Sequence, residues 1–533
     1  MPYISGTAFD SVPPETCGIT SASVLNLIDS LAQRKINIHS LMILRHGRAV
    51  TRLWWKPYSP ELPHQMYSFS KSVVSLAIGF AEAEGLLSLD DRIAGFFPRR
   101  ITSDADPRIY SVTIEHLLTM TSGAVLQNET GVPRYTDWVE WFLNTPLNSF
   151  PGDSFVYNSM NTYMLSAVLR KITGSGLVDY LMPRLFEPLA IDRPVWDKCP
   201  VGIECGGWGL YLKTDDMAKI CQLCLDDGMW HGKRILPEKW AVRAGECAVP
   251  SDSDSKLSDS VHRVAGYGYQ FWRNGDGASW RADGMFGQYG MIMPEKDMVI
   301  VTTGGHASQM ELLDVLYDVF IPHVDDIPED TLPGSDYEEL CRRATELKLD
   351  YPEKQQRPSE LEASLEGVIF DFSVNRHSLL PMPVRLIHQA KTIGVASVGF
   401  DFSKEQAQLY WSENGTEYSI PFRVDGSFCS CTVDYAGRSY PMETYAAWID
   451  ENTLEIDLRP IHMAHMQRAV FTFEEDEVSC VFDEDPSMEQ LMKMLIDFAQ
   501  PVRPIAKRLS RLAGILMLPV RGTKRITSLS KTE

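Results

Sequence analysis

Residues 66–75 read MYSFSKSVVS, four serines and one lysine at the head of an apolar helical run. A serine hydroxyl is a weak nucleophile and attacks a carbonyl only with a base within hydrogen-bond reach. On a helix, positions i and i+3 share a face. Of the four serines only Ser68 has a lysine there, Lys71; Ser70 has Val73, Ser72 has Ser75, and Ser75 has Ile78. The following SKSVVSLAIGFAEAEGLL is strongly apolar, so Lys71 is expected at the edge of a core, where loss of water favours the neutral amine that can take a proton. In the first turn, Ser68 would also have the helix's free N–H groups and positive dipole end behind it, which steady an alkoxide or an oxyanion. Ser-x-x-Lys alone is a weak pattern, equally a capping serine beside a solvated lysine, so its surroundings must decide.

Upstream, SASVLNLIDSLAQR (21–34) has helical spacing after a serine cap, and HSLMILRHGRAVTRLWWKP (39–57) reads as a β-hairpin about a His-Gly-Arg turn. Downstream, helices are predicted through TIEHLLTMTSG (113–123), DWVEWFLN (137–144), PGDSFVYNSMNTYMLSAVLRKITG (151–174) and KTDDMAKICQLCLDDG (213–228). Strand signals return in YGYQFWRN (267–274) and GQYGMIMPEKDMVIVTTGG (287–305). Strands at both ends around a helical middle predict an α+β domain with one antiparallel sheet assembled from both ends, over residues 1–325. Residues 326–360 are polar and acidic and read as a linker with one short helix. From 361 to 485, β-rich runs alternate with turns in SENGTE, RVDGSF and DYAGRS, which predicts an all-β barrel or sandwich. Residues 486–533 read as a helix followed by a basic tail.

The ordered blocks SFSK, GLLSLDDRIAGFFP, VTIEHLLTMTSG, PGDSFVYNSMNTYMLSAVLRKITG, GGWGLYLKTDDMAKICQLCLDDGMWHGKRILPEKW and ADGMFGQYGMIMPEKDMVIVTTGG make residues 15–325 resemble the serine β-lactamase-like hydrolases. The likeness is to the branch holding class C β-lactamases, esterases and 6-aminohexanoate-dimer hydrolases. It implies an antiparallel sheet flanked by helices with a mainly helical subdomain. It implies Ser68 as the acylated nucleophile, Lys71 as its base and Tyr157 as a partner in proton transfer. The strand around Gly284, Met285 and Gly287 would supply an oxyanion-hole N–H together with that of Ser68.

Two positions depart from the family pattern. Its second motif is commonly Tyr-x-Asn, whereas Asn158 directly follows Tyr157 here and Ser159 stands third. Its third motif carries Lys or His, then Thr or Ser, then Gly; this chain has Ala282-Asp283-Gly284. The cation that would hold a substrate carboxylate is gone, and Asp283 would repel one. Asn158, Ser159, Asp283 and Trp138 are the expected substrate contacts, with the segment from Thr136 to Phe142 shaping selectivity. The β-rich region resembles the lipocalin-like accessory domains appended to some family members.

With 71 acidic against 50 basic residues the net charge is −21, which repels nucleic acid and anionic membranes over most of the surface. The sign reverses at the end, where Arg503, Lys507, Arg508, Arg511, Arg521, Lys524, Arg525 and Lys531 face one acid, Glu533; weak membrane-surface contact by this tail is the one such partner left open. The opening MPYISGTAFDSVPPE has no basic start or apolar core of a secretory signal, and no run is long enough to span a bilayer, so a cytoplasmic protein is expected. Ten scattered cysteines read as thiols, including the Cys221–Cys224 pair, which lacks a second pair for a metal. His462 and His465 lack a third ligand, and SDSDSKLSDS (251–260) lacks the spacing of a calcium loop. A cofactor-free and metal-free serine hydrolase acting on a small-molecule ester or amide is therefore expected, the alternative being a ligand-binding or sensing module that keeps the fold without turnover.

Overall fold

A computed structural model of the chain describes residues 8–124, 136–251, 262, 265–349, 359–373, 377–381, 384, 394–402, 406–435, 437–487, 489–490 and 520–526. They fall into two compact units, one through Leu349 and one from Ser359 onward. The acidic stretch 252–260 and most of the basic tail lie outside the described residues.

In the first unit, strands β1 (Ile38–Arg45), β2 (Arg48–Trp54), β3 (Trp272–Arg273), β4 (Trp280–Gly284), β5 (Gln288–Met293) and β6 (Met298–Gly304) form one antiparallel sheet in the order β2-β1-β6-β5-β4-β3. The early hairpin and the late strands meet where β1 pairs with β6, Ile43 opposite Ile300. All eight residues of β1 are buried, as a continuous apolar run requires. Helix α1 (Ser21–Gln33) opens the unit, capped by the Thr20 hydroxyl, which accepts from the Ser23 N–H at 3.0 Å.

Helix α2 (Phe69–Ala83) is buried continuously from Phe69 to Ala81. A helix apolar all round belongs in an interior, and α2 packs against β4 on one side and against α5 (Ser159–Thr173) on the other. Helices α3 (Ile114–Leu118), α4 (Trp138–Leu143) and α6 (Thr214–Leu225) complete the elements that matter to the site.

The helix expected within a linker, α7 (Ser335–Glu346), belongs to this first unit. Arg343 Nη1 reaches Asp29 Oδ1 of α1 at 2.6 Å, Leu340 is buried, and beyond the helix the Lys56 and Leu347–Leu349 backbones exchange hydrogen bonds of 3.0 Å. The unit thus ends at Leu349, not at 325. The acidic composition that suggested a linker is the solvent face of an amphipathic helix.

The second unit is a nearly closed ten-stranded antiparallel sheet. Its strands are β7 (Val368–Phe372), β8 (Val395–Asp401), β9 (Ala407–Glu413), β10 (Thr416–Phe422), β11 (Cys429–Tyr435), β12 (Arg438–Trp448), β13 (Thr453–Pro460), β14 (Met466–Phe473), β15 (Glu477–Asp485) and β16 (Val520–Ile526). They run in the order β10-β9-β8-β7-β16-β15-β14-β13-β12-β11 around a core that includes Trp411, Trp448 and Phe471. The last strand corrects the expected tail: Val520–Ile526, with Arg521, Lys524 and Arg525, inserts between β7 and β15. Burying the β7 and β15 edges removes two unpaired backbone rows.

Candidate active site

The approach to the nucleophile is fixed by backbone. His64 and Gln65 pair with Leu212 and Tyr211, and the Met66 N–H donates to Leu210 O at 2.8 Å. Tyr67 then takes a left-handed φ of 46°, uncommon for a residue with a ring. Its ring meets Phe286 edge-on at 5.0 Å, and Phe286 is itself left-handed at φ 68° in the turn after β4. Ser68 follows as the residue before α2.

The four serines have separate fates. Ser70 Oγ accepts from Leu210 N–H at 3.2 Å, and Ser72 Oγ donates to Gln270 O at 2.7 Å. Ser75 is wholly buried. Only Ser68 meets the lysine: Lys71 Nζ lies 2.8 Å from Ser68 Oγ and 2.7 Å from Gly207 O. Burial pushes the Lys71 ammonium down to about 7, and the Asp283 carboxylate opposes that fall. A group that exchanges its proton near neutral pH, set beside the hydroxyl, is what general-base activation of serine needs.

Tyr157 joins them. Its ring centroid lies 4.8 Å from Lys71 Nζ, and the ring stacks on Trp272 at 5.5 Å. The electron-rich face favours an ammonium over it. Ser159, in the first turn of α5, packs so closely on Gly207 that a Cβ there would lie 2.7 Å from Ser159 O. No larger residue fits between α5 and the carbonyl that receives Lys71.

Two expected substrate contacts are placed elsewhere. Asn158 is buried as the cap of α5: its Oδ1 accepts from Met160 N–H at 2.9 Å and its Nδ2 donates to Ala124 O at 3.0 Å. Both ends of the buried amide thus hold the fold together at the head of α5. Trp138 is only 2% exposed and packs among Tyr163 and Trp208. Phe142 is also buried, because the apolar side of α4 turns into the core. The polar side lines a cavity of about 430 Å³ with Thr102, Thr136, Asp137, Glu140, Trp141, Asn144, Thr145 and Pro146; Ser68 and Lys71 are not among its walls.

On the opposite side stands β4. A Cβ on Gly284 would lie 2.3 Å from Met66 O and 3.2 Å from Phe69 N, so only glycine lets the strand close on the head of α2. Among the described residues, the N–H groups of Ser68 and Met285 have no protein acceptor, leaving two donors for a developing oxyanion. Gly287 lies further on, at φ 91° in the turn, where its carbonyl accepts from Thr302 Oγ1 at 2.7 Å; its part is conformational. Asp283 is held by Arg281, with Nε 2.8 Å from Oδ2. Arg281 is 1% exposed, and its Nη1 donates to His262 O, Arg273 O and Asn274 Oδ1.

Three participants escaped the sequence reading. Gly207 had a signal, the glycine pair in CGGWG. Arg281 was visible only as the residue before the motif, because its role as the partner of Asp283 depends on β4 bringing both inward. Gln270 gave no signal. It has a left-handed φ of 64°, accepts from Thr162 Oγ1 at 2.6 Å through Oε1, and donates through Nε2 to Leu118 O at 2.7 Å, tying α2, α3 and α5 together.

A family model for Beta-lactamase matches residues 26–304, more than half of the 533. The chain belongs to the beta-lactamase family. Its sequence is 22% identical over 313 residues to the 6-aminohexanoate-dimer hydrolase of Paenarthrobacter ureafaciens, spanning 53% of this chain and 78% of that one. It is 23% identical over 228 residues to an uncharacterized protein of Alkalihalophilus pseudofirmus, spanning 38% of this chain and 62% of that protein's length. Among solved structures, the octameric penicillin-binding protein homologue from Pyrococcus abyssi aligns with a TM-score of 0.46 and 17% identity over 87% of this chain and 98% of that one. Ser68 and Lys71, in the Ser-x-x-Lys pattern, lie within the residues that the family model matches. Among the described residues, no three His, Cys, Asp or Glu side chains gather as metal ligands, and no helix is long and apolar enough to cross a membrane.

Proposed function

We propose that the protein is a cytosolic hydrolase of small-molecule esters or amides that works through an acyl-enzyme on Ser68. The observation that carries this reading is the 2.8 Å contact between Ser68 Oγ and a buried Lys71 whose ammonium is pushed down to about 7. Lys71 takes the proton from Ser68 as Oγ bonds to the carbonyl carbon, while the Tyr157 ring face and Gly207 O stabilise the new ammonium. The N–H groups of Ser68 and Met285 receive the oxyanion; each such donor is worth about 2.7 to 4 kcal/mol in comparable sites. The tetrahedral adduct then collapses, the alcohol or amine leaves with a proton from the Lys71–Tyr157 pair, and water attacks the acyl carbon with the pair again taking its proton.

The similarity to a 6-aminohexanoate-dimer hydrolase supports amide as well as ester cleavage. Replacement of the third-motif cation by Ala282 and Asp283 argues against β-lactams and carboxylate-terminated peptides as substrates. A fluorophosphonate probe should label Ser68 in the wild-type protein and fail to label Ser68→Ala; equal labelling of both overturns the reading. Specific ligand binding without turnover of any ester, small amide or nitrocefin would support a sensing module instead.

A further inference from the structure

The pair on β4 is oriented, and its orientation bears on which carbonyl compound the site accepts. Arg281 stands behind Asp283, almost fully buried, with its guanidinium spread over Asp283 Oδ2, two backbone carbonyls and the Asn274 amide oxygen. It is not available to turn toward a substrate carboxylate. Among the described residues Arg281 Nε engages Asp283 Oδ2 and not Oδ1, and the neighbouring Gly284 abuts Met66 O and Phe69 N at the head of α2. Opposite Arg281 on β3, Trp272 stacks on Tyr157, the ring that faces Lys71, so the pair lies beside the catalytic groups; the Asp283 charge acts on both Lys71 and Tyr267.

Aromatic rings surround this carboxylate's neighbours. Tyr157 stacks on Trp272, Tyr267 meets Trp272 edge-on at 4.9 Å, and the Arg281 guanidinium lies 6.0 Å from the Trp272 ring centre. A carboxylate next to ring faces in a desolvated site is an environment that favours cations and disfavours anions.

We propose that Asp283 makes the site select esters or amides that carry an ammonium or quaternary ammonium group near the scissile carbonyl. The inference rests on the acyl-enzyme reading above. The substrate cation would engage Asp283 Oδ1, the carboxylate oxygen that Arg281 Nε does not take. A bound cation also pushes Lys71 further toward the amine, so binding and readiness of the base reinforce each other. A substrate carboxylate would meet Asp283 as a like charge.

Two matched ester series test this on the full chain. In one the cation is on the acyl group: p-nitrophenyl 4-(trimethylammonio)butanoate, its neutral isostere p-nitrophenyl 5,5-dimethylhexanoate, and the anionic mono-p-nitrophenyl adipate. In the other it is on the alcohol: butyrylcholine against 3,3-dimethylbutyl butyrate. The expected result is a kcat/KM preference for the cation over its neutral isostere of tenfold or more, about 1.4 kcal/mol, in at least one series, with the adipate poorest. In Asp283→Asn that preference should fall to within threefold of unity. Asp283→Ser serves if the Asn variant does not fold.

A preference below tenfold in both series, or one that survives both substitutions, overturns the proposal. Failure of the acyl-enzyme reading looks different, since fluorophosphonate would then not label Ser68. Calorimetric binding of the same esters to Ser68→Ala reads the cation preference in Kd with no turnover required, and a ratio below tenfold in both series there also counts against it.

Discussion

The head of α2 and the strand β4 face each other across the same candidate site and depart unequally from the family pattern. Around Ser68 everything that makes a serine reactive is in place: a buried lysine at 2.8 Å, a carbonyl holding that lysine from behind, and a ring face for its charge. On β4 the backbone is kept and the side chains are rewritten. Gly284 still permits contact with Met66 and Phe69, but Ala282 stands in the place of the recognition cation and Asp283, beside it, is paired with Arg281. Attack on a carbonyl depends on a few fixed atoms, whereas selection depends on charge and shape that differ with each substrate. Under the proposed mechanism one wall carries the reaction and the other the choice of substrate.

The comparison breaks most decisively at Ser68. Ser68→Ala should lower kcat/KM for any turned-over ester by at least about 10⁴-fold, and a smaller loss would mean that the α2 head is not the reactive wall. Lys71→Met should cost about 10²- to 10⁴-fold in kcat and slow labelling by fluorophosphonate, while the far-ultraviolet circular dichroism stays that of the wild type. Gly284→Ala tests whether the two walls must touch. A methyl 2.3 Å from Met66 O forces them apart, and denaturant unfolding should show a loss of about 1–3 kcal/mol together with reduced kcat.

The electrical link between the walls is legible in pH. With neutral Lys71 as the base in the proposed mechanism and its ammonium held near 7, kcat/KM should rise with pH through about 7 and then level. Asp283 works against the fall in Lys71, so Asp283→Asn should move that rise to lower pH; movement to higher pH would show that the carboxylate does not act on Lys71. The smallest effect is expected at Asn158. Asn158→Ala removes a helix cap and should cost about 1–2 kcal/mol of stability without altering the discrimination between cationic and neutral esters.

Much of this was legible in the linear chain, for identifiable reasons. Helical spacing separates Ser68 from Ser70, Ser72 and Ser75 because a period of 3.6 residues is a local property. Strand signals at both ends of the first unit announced its sheet, since continuous burial leaves an apolar run such as β1. The same kind of reading placed a linker where α7 packs, because composition cannot show that Leu340 and Arg343 find α1. It also left Val520–Ile526 as a tail, because the edges it fills, β7 and β15, are formed by distant segments. Asn158 and Trp138 looked like substrate contacts until packing committed one to a helix end and the other to the core.

What the sequence by itself determined is the layout of the candidate site: a serine and a lysine one turn apart on an apolar helix, followed by a tyrosine block and a glycine-bearing strand. What only the tertiary structure decided is the electrostatics around them. Whether Lys71 is an amine or an ammonium depends on complete burial between α2, Gly207 and Tyr157. Whether Asp283 acts as a bare charge or as the outer end of a pair depends on Arg281 being buried behind it. Desolvation and Coulomb energy are functions of distance and surroundings, and neither is written in the order of the residues.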